Sequence, residues 1–202
     1  MKYCLDLYSG LGGFSEAFHQ SEDWSVLRID NNILLSEVPN TMIADIHQLD
    51  IHNKYGLEAS QSIDVILAGP PCLEFSNAYS APKIEAMKKG QDYYPHEGMA
   101  HVRRIEQIID IIQPQYFAIE NVLGSIPYIS EIFGHYRQIE GPHVLWGNFP
   151  SFYLDNMNYK PKSWKACGQD KLSVQKRGLI PFEISQALMY AIEQQKSILE
   201  WL

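Results

Sequence analysis

The sequence contains no run of about 18 apolar residues, the length a bilayer-spanning helix needs, so no membrane segment is expected. It is poor in cysteine. Cys4, Cys72 and Cys167 are the only three, and none forms a Cys-x-x-Cys pair. An odd, unpaired set argues against a disulfide framework and against a zinc site; a reducing cytoplasm, no metal and one thiol free for chemistry are the expectation. Positive charge is scarce too, with 16 Lys and Arg against 24 Asp and Glu and a net charge of −8. The deficit sits in residues 1–82, which hold three basic and eleven acidic side chains. The remainder is balanced and contains a local excess at 155–177, where Lys160, Lys162, Lys165, Lys171, Lys176 and Arg177 face only Asp155 and Asp170. That stretch reads either as a solvated loop or as a phosphate-facing surface. Repeats and low-complexity tracts are absent, and "MKYCLDLYSG" lacks the apolar core and cleavage pattern of a signal peptide.

What is present fits one domain. The 202 residues are 46 % hydrophobic, enough to bury a core. Short apolar runs alternate with amphipathic stretches, the pattern of an α/β fold. Strands are expected at 3–9, 24–30, 41–45, 63–69 and 116–122, with a further candidate at 143–149. The run "IDVILAG" suits burial on both faces. A helix is expected to open at Gly10, Gly12 and Gly13 and continue through Phe14, Ala17 and Phe18. Val102, Ile105, Ile108, Ile109 and Ile112 fall at helical spacing, and Pro114 ends that helix. The last helix starts near Pro181 and carries Ile184, Ala187, Leu188, Ala191 and Ile192 as its core stripe. Residues 73–98 read as a long polar loop, and 125–178 as a small irregular basic segment.

A doubly wound sheet binds ligands beyond the carboxyl ends of its strands, and Asp6, Ser9, Asp30, Asp45, Cys72 and Glu120 all lie at such ends. "DLYSGLGGF" is a glycine-rich turn through which backbone can approach a ligand, and it lacks the Gly-Lys-Ser/Thr ending of a phosphate loop. Asp30 can accept from both ribose hydroxyls of an adenosine, or simply cap a helix; Asp45 can hold an adenine amino group, or likewise cap. In "GPPCLEFS" two prolines fix the chain after a buried strand and deliver a thiol at its mouth, where neighbouring helix ends would lower its pKa. "ENV" puts the Glu120 carboxylate where burial without a partner is costly.

Taken in order, "DLYSGLGGF", Asp30, Asp45, "GPPCLEFS" and "ENV" resemble the DNA cytosine-5 methyltransferases over about residues 3–124. The resemblance implies a Rossmann-like fold with a mostly parallel sheet and helices on both faces, S-adenosylmethionine as cofactor and cytosine-bearing DNA as partner. It places Asp6, Ser9, Gly10, Leu11, Gly12, Gly13 and Phe14 along the methionine part of the cofactor, Asp30 with Asn31 at the ribose, and Asp45 with Ile46 at the adenine; Pro70 and Ser185 complete that set. Cys72 would be the nucleophile, Glu120 would bind the cytosine ring nitrogen and amino group, and Asn121 would brace the Cys72 loop. Pro71, Ser76 and Arg177 would meet the substrate.

Three departures leave alternatives open. The Gln-x-Arg-x-Arg motif of the family is missing, with Arg137 and Arg177 its nearest substitutes. The stretch between "ENV" and "KRGLIPFEIS" is too short for the family's target-recognition domain, and Glu74 stands where the family has glutamine. The same chemistry on a free cytosine nucleotide such as dCMP, a non-catalytic binding module and a dinucleotide-binding oxidoreductase are the competing readings. Lys83, Lys88 and Lys89 on the long loop make it a candidate lid over the base.

Overall fold

The computed structural model describes residues 1–51, 62–154 and 170–195. Seven strands form one sheet: β1 Lys2–Leu7, β2 Trp24–Asp30, β3 Thr41–Ile43, β4 Val65–Ala68, β5 Tyr116–Val122, β6 Gln138–Glu140 and β7 His143–Asn148. Their spatial order is β3-β2-β1-β4-β5-β7-β6, with β1 to β5 mutually parallel and β6 and β7 antiparallel. The order of connection reverses between β1 and β4, which makes the crevice over their carboxyl ends the place for a ligand.

Apolar alternation explains the layers. Leu5, Leu7, Ile29, Ile66, Ile119, Val144 and Trp146 point to one face, where they meet α3 (His96–Ile112) and α4 (Ile126–Phe133). Cys4, Val26, Val65, Leu67, Ala118 and Leu145 point to the other, under α1 (Glu16–Gln20) and α6 (Phe182–Gln194). Every residue of β4 is fully buried, as its unbroken apolar run predicts. Helix α3 ends at Gln113 in the left-handed conformation (φ 52°), followed by Pro114.

Several elements differ from the sequence expectation. Strand β1 stops at Leu7, because Tyr8 takes a left-handed backbone (φ 57°) that no strand continues. The glycines do not begin a helix either. Gly10 and Gly12 are left-handed (φ 53° and 81°), and α1 starts only at Glu16. The polar loop 73–98 holds α2 (Pro82–Lys88) and the first turn of α3. The segment 125–178, expected to be irregular, contains α4, the β6–β7 hairpin and α5 (Ser173–Arg177). Asp155, Lys160, Lys162, Lys165 and Cys167 lie outside the described residues. Among the described residues no helix is long and apolar enough to cross a membrane, and no three His, Cys, Asp or Glu side chains are grouped to hold a metal.

Candidate functional site

The glycine turn after β1 rests on a buried polar scaffold. Arg28, 1 % exposed, lies directly beneath it and spends its guanidinium on four acceptors. Nε donates to Ser15 Oγ (2.9 Å), Nη1 to Pro39 O (3.1 Å), and Nη2 to Gly12 O (3.2 Å) and Glu16 Oε2 (2.8 Å). Ser15 Oγ in turn donates to Asp6 Oδ2 (2.6 Å). A Cβ on Gly12 would come within 2.5 Å of the Arg28 guanidinium carbon, so this glycine is required both by its φ and by what lies under it. Burial pushes Asp6 up to about 7, against the opposing pull of the Ser15 hydrogen bond and Arg28.

Asp30, at the end of β2, accepts from Gly10 N–H (3.0 Å) and Asn32 N–H (2.9 Å), tying the glycine turn to the next strand. Asp45 caps the turn Ile46–Gln48 through His47 N–H (2.9 Å). Asn31 is exposed beside Asp30, whereas Ile46 and Phe14 are core residues. Ser185 lies on α6. It is fully buried, donates to Phe14 O (2.7 Å) and accepts from Ala17 N–H (3.0 Å), latching α6 onto α1. Two buried polar atoms in the turn, Asp6 Oδ1 and Ser9 Oγ, have no hydrogen-bond partner among the described residues. Unpartnered polar atoms beside left-handed glycines leave hydrogen-bonding capacity for a polar ligand. Sequence reading missed Tyr8 and the two histidines at this end. His101 Nδ1 lies 3.1 Å from Tyr8 Oη and 2.8 Å from His47 Nε2, and burial, then His47, lowers the His101 pKa.

At the next two strand ends lie the thiol and the carboxylate. Asn121, 1 % exposed at the end of β5, donates through Nδ2 to Pro70 O (3.0 Å), so "ENV" braces "GPPC" directly. The Cys72 carbonyl accepts from Phe75 N–H (3.1 Å) and Ser76 N–H (3.0 Å), which curls the chain into a tight turn. Phe75 pins it. A Cβ on Gly98 would lie 2.6 Å from the Phe75 ring, and one on Gly124 only 2.0 Å from Phe75 O. Glu74 fastens the same turn to the start of α3, accepting from Gly98 N–H (2.7 Å) and Tyr93 Oη (3.3 Å). A carboxylate at that helix end is favourably placed against the helix dipole. Pro71 and Cys72 are exposed, Pro70 is buried, and Ser76 is half-buried with Oγ accepting from Ala78 N–H (3.1 Å).

The Cys72 thiol departs from expectation. The residue is exposed as a whole, yet desolvation around its sulfur pushes its pKa up, and the Glu120 charge adds to that rise. No helix begins directly after Cys72 to lower it, since the chain there forms only a turn. The same coupling shows that Cys72 and Glu120 are close enough to sense one another. Glu120 Oε1 lies 2.7 Å from His143 Nδ1, a partner that sequence reading passed over. Arg177 is exposed at the end of α5, and Lys176 pairs with Asp170. Lys88 binds Tyr79 O (2.9 Å) and Glu85 (2.8 Å), so it helps fold its own segment. A hollow of about 600 Å³ sits at the opposite, amino ends of β1 to β3, near Tyr3, Ser25 and Thr41, and contains none of the expected site residues.

The chain is 30 % identical over 130 residues to the type II methyltransferase M.DdeI of Desulfomicrobium norvegicum, which covers 60 % of this chain and 28 % of that protein. It is 26 % identical over 144 residues to the DNA (cytosine-5)-methyltransferase PliMCI of Paracentrotus lividus, covering 62 % of this chain and 8 % of that protein. The chain therefore spans less than a third of either relative. The solved structure of the Entamoeba histolytica methyltransferase EhMeth superposes with a TM-score of 0.50 at 15 % identity, over 77 % of this chain and 55 % of that one, which shows a shared fold. The family model for C-5 cytosine-specific DNA methylases matches residues 3–126, more than half of the chain, and the protein belongs to that family.

Proposed function

We propose that the protein transfers a methyl group from S-adenosylmethionine to carbon-5 of cytosine in DNA, through a transient bond to Cys72. The observation that carries this reading is the convergence of an exposed thiol, the carboxylate it is coupled to and the Asn121 brace at adjacent strand ends. The glycine turn fits the cofactor, with Asp6 and Ser9 offering orphaned acceptors and Asp30 and Asp45 the two following strand ends. The cofactor supplies an electrophilic methyl group; everything else falls to the chain.

Cytosine carbon-5 is a poor nucleophile. Once the Cys72 thiol has released its proton to solvent, addition of Sγ to carbon-6 forms a sulfur–carbon bond and pushes electron density toward carbon-5, while a proton on Glu120 goes to the ring nitrogen. Carbon-5 takes the methyl group, loses its proton to solvent, and the sulfur–carbon bond breaks with its electron pair returning to Sγ. Burial first, and then the Glu120 charge, raise the Cys72 pKa, so a proton placed on Glu120 removes the smaller of the two effects that oppose the thiolate. By the family resemblance, Pro71, Ser76 and Arg177 are the groups assigned to the substrate, with the Lys83–Lys89 segment as a candidate lid.

The test is methyl transfer from labelled cofactor to duplex DNA, single-stranded DNA and dCMP in parallel, with 5-fluorocytosine DNA used to trap a covalent adduct. Methylated duplex and an adduct mapped to Cys72 by mass spectrometry are expected. The acidic first 82 residues favour a second reading, a nucleotide-sized substrate, and methylation of dCMP alone would establish it. No transfer to any substrate would overturn both.

A further inference from the structure

We infer that His143 is a positioning residue for Glu120, holding its carboxyl in place and sharing with it the single proton that the base requires. This rests on the reading of Cys72 and Glu120 given above and assigns what stands in place of the missing arginine motif. Strand β7 runs antiparallel to β5 with Val122 opposite His143. Glu120, two residues earlier on β5, shares the sheet face of Val122, so the two side chains meet along the strand. Their contact is short, 2.7 Å between His143 Nδ1 and Glu120 Oε1, and nearly closed to water, with side chains 11 % and 13 % exposed. Titratable groups near the imidazole include Glu120 from β5, Cys72, which senses Glu120, from the turn after β4, and Glu140, its register partner on β6. Glu140 is engaged by Gln138 Nε2 (2.6 Å).

An imidazolium facing a carboxylate and a neutral imidazole facing a carboxylic acid differ only by one proton moved along that hydrogen bond. Addition of Sγ to carbon-6 draws the proton onward to the ring nitrogen, and expulsion of Sγ returns it to the pair. While the proton is held, the Glu120 charge that raises the Cys72 pKa is offset.

His143→Gln keeps a hydrogen-bond donor for Glu120 and removes the titration. Its kcat is expected to fall by about tenfold or more, with KM for DNA little changed and the alkaline limb of the rate displaced to lower pH. Affinity for S-adenosylhomocysteine should be unchanged. A second readout needs no turnover: alkylation of Cys72 by iodoacetamide at pH ~6.5, followed by mass spectrometry, should slow in His143→Gln because Glu120 then carries its full charge. Added imidazole should restore the alkaline limb of His143→Ala. An active wild type whose pH profile and Cys72 alkylation are the same in His143→Gln would overturn the role of His143 and leave the proposed reaction standing. A wild type that neither transfers methyl nor traps an adduct would overturn both.

Discussion

Beneath the glycine turn, Arg28, Ser15, Asp6 and Gly12 are all buried and joined by hydrogen bonds of 2.6–3.2 Å; around the thiol, Pro71, Cys72, Leu73 and Tyr79 are all exposed. One half of the crevice is thus fixed before any ligand arrives. The other is anchored at only a few points, namely Phe75, Glu74 and Asn121, and leaves its reactive group open. Under the proposed reaction this division has a use: a cofactor of constant shape can be met by a rigid cradle, whereas a base would have to be admitted to the thiol and released again.

Substitutions can separate the two halves. The largest effect is expected from Cys72→Ser, which should lower methyl transfer about a thousandfold or more while leaving stability and S-adenosylhomocysteine binding near wild type; calorimetry beside single-turnover transfer checks this. The converse lesion is Arg28→Met. It strips Gly12 O, Pro39 O and Glu16 of their donor and should cost about 2–4 kcal/mol in urea unfolding, with cofactor affinity falling as the turn loosens. Next in size is a pH effect from Asp6. Its folded pKa of about 7 stands above the ordinary carboxylate value of 3.8, so the native state holds a proton that the unfolded state lacks between those limits. Its contribution to stability is full below pH ~4 and is lost as pH rises to ~7, by at most about 4 kcal/mol. Urea midpoints at pH 5 and 8 should differ less in Asp6→Asn than in the wild type. Ser185→Ala should cost least, about 1 kcal/mol, by releasing the latch between α6 and α1; a loss of cofactor affinity without a loss of stability would return Ser185 to the cofactor site.

The parallel strands were legible in the sequence because burial on both faces leaves unbroken apolar runs such as "VILA". The turn residues were legible because Pro-Pro-Cys and clustered glycines admit few backbones. Helix α2 was not, since none of its residues is buried and so no 3.6-residue period appears. Arg28 could have been found. Trp24, Val26 and Arg28 alternate on the inward face of β2, and a charged residue in an inward register announces a buried network. The Glu120–His143 contact carried no local signal, because it joins side chains 23 positions apart whose meeting depends on a register that only the folded sheet supplies. The thiol environment was misjudged because proximity to helix ends was inferred from strand ends, and the chain after Cys72 forms a turn instead.

The reversed direction of β7 makes one part of the site intolerant of length change. Parallel strands reach the crevice with their last residues and continue into loops, where an insertion can be absorbed. Strand β7 reaches it with its first residue, three positions after the last residue of β6, across the turn formed by Gly141 and Pro142, with Gly141 left-handed at φ 59°. One residue inserted into β7 just after His143 would offset the histidine from the rest of the strand, and one inserted in the turn would break the β6–β7 pairing that seats it. This small hairpin, more than the longer segments around it, is where drift in chain length would be felt at Glu120.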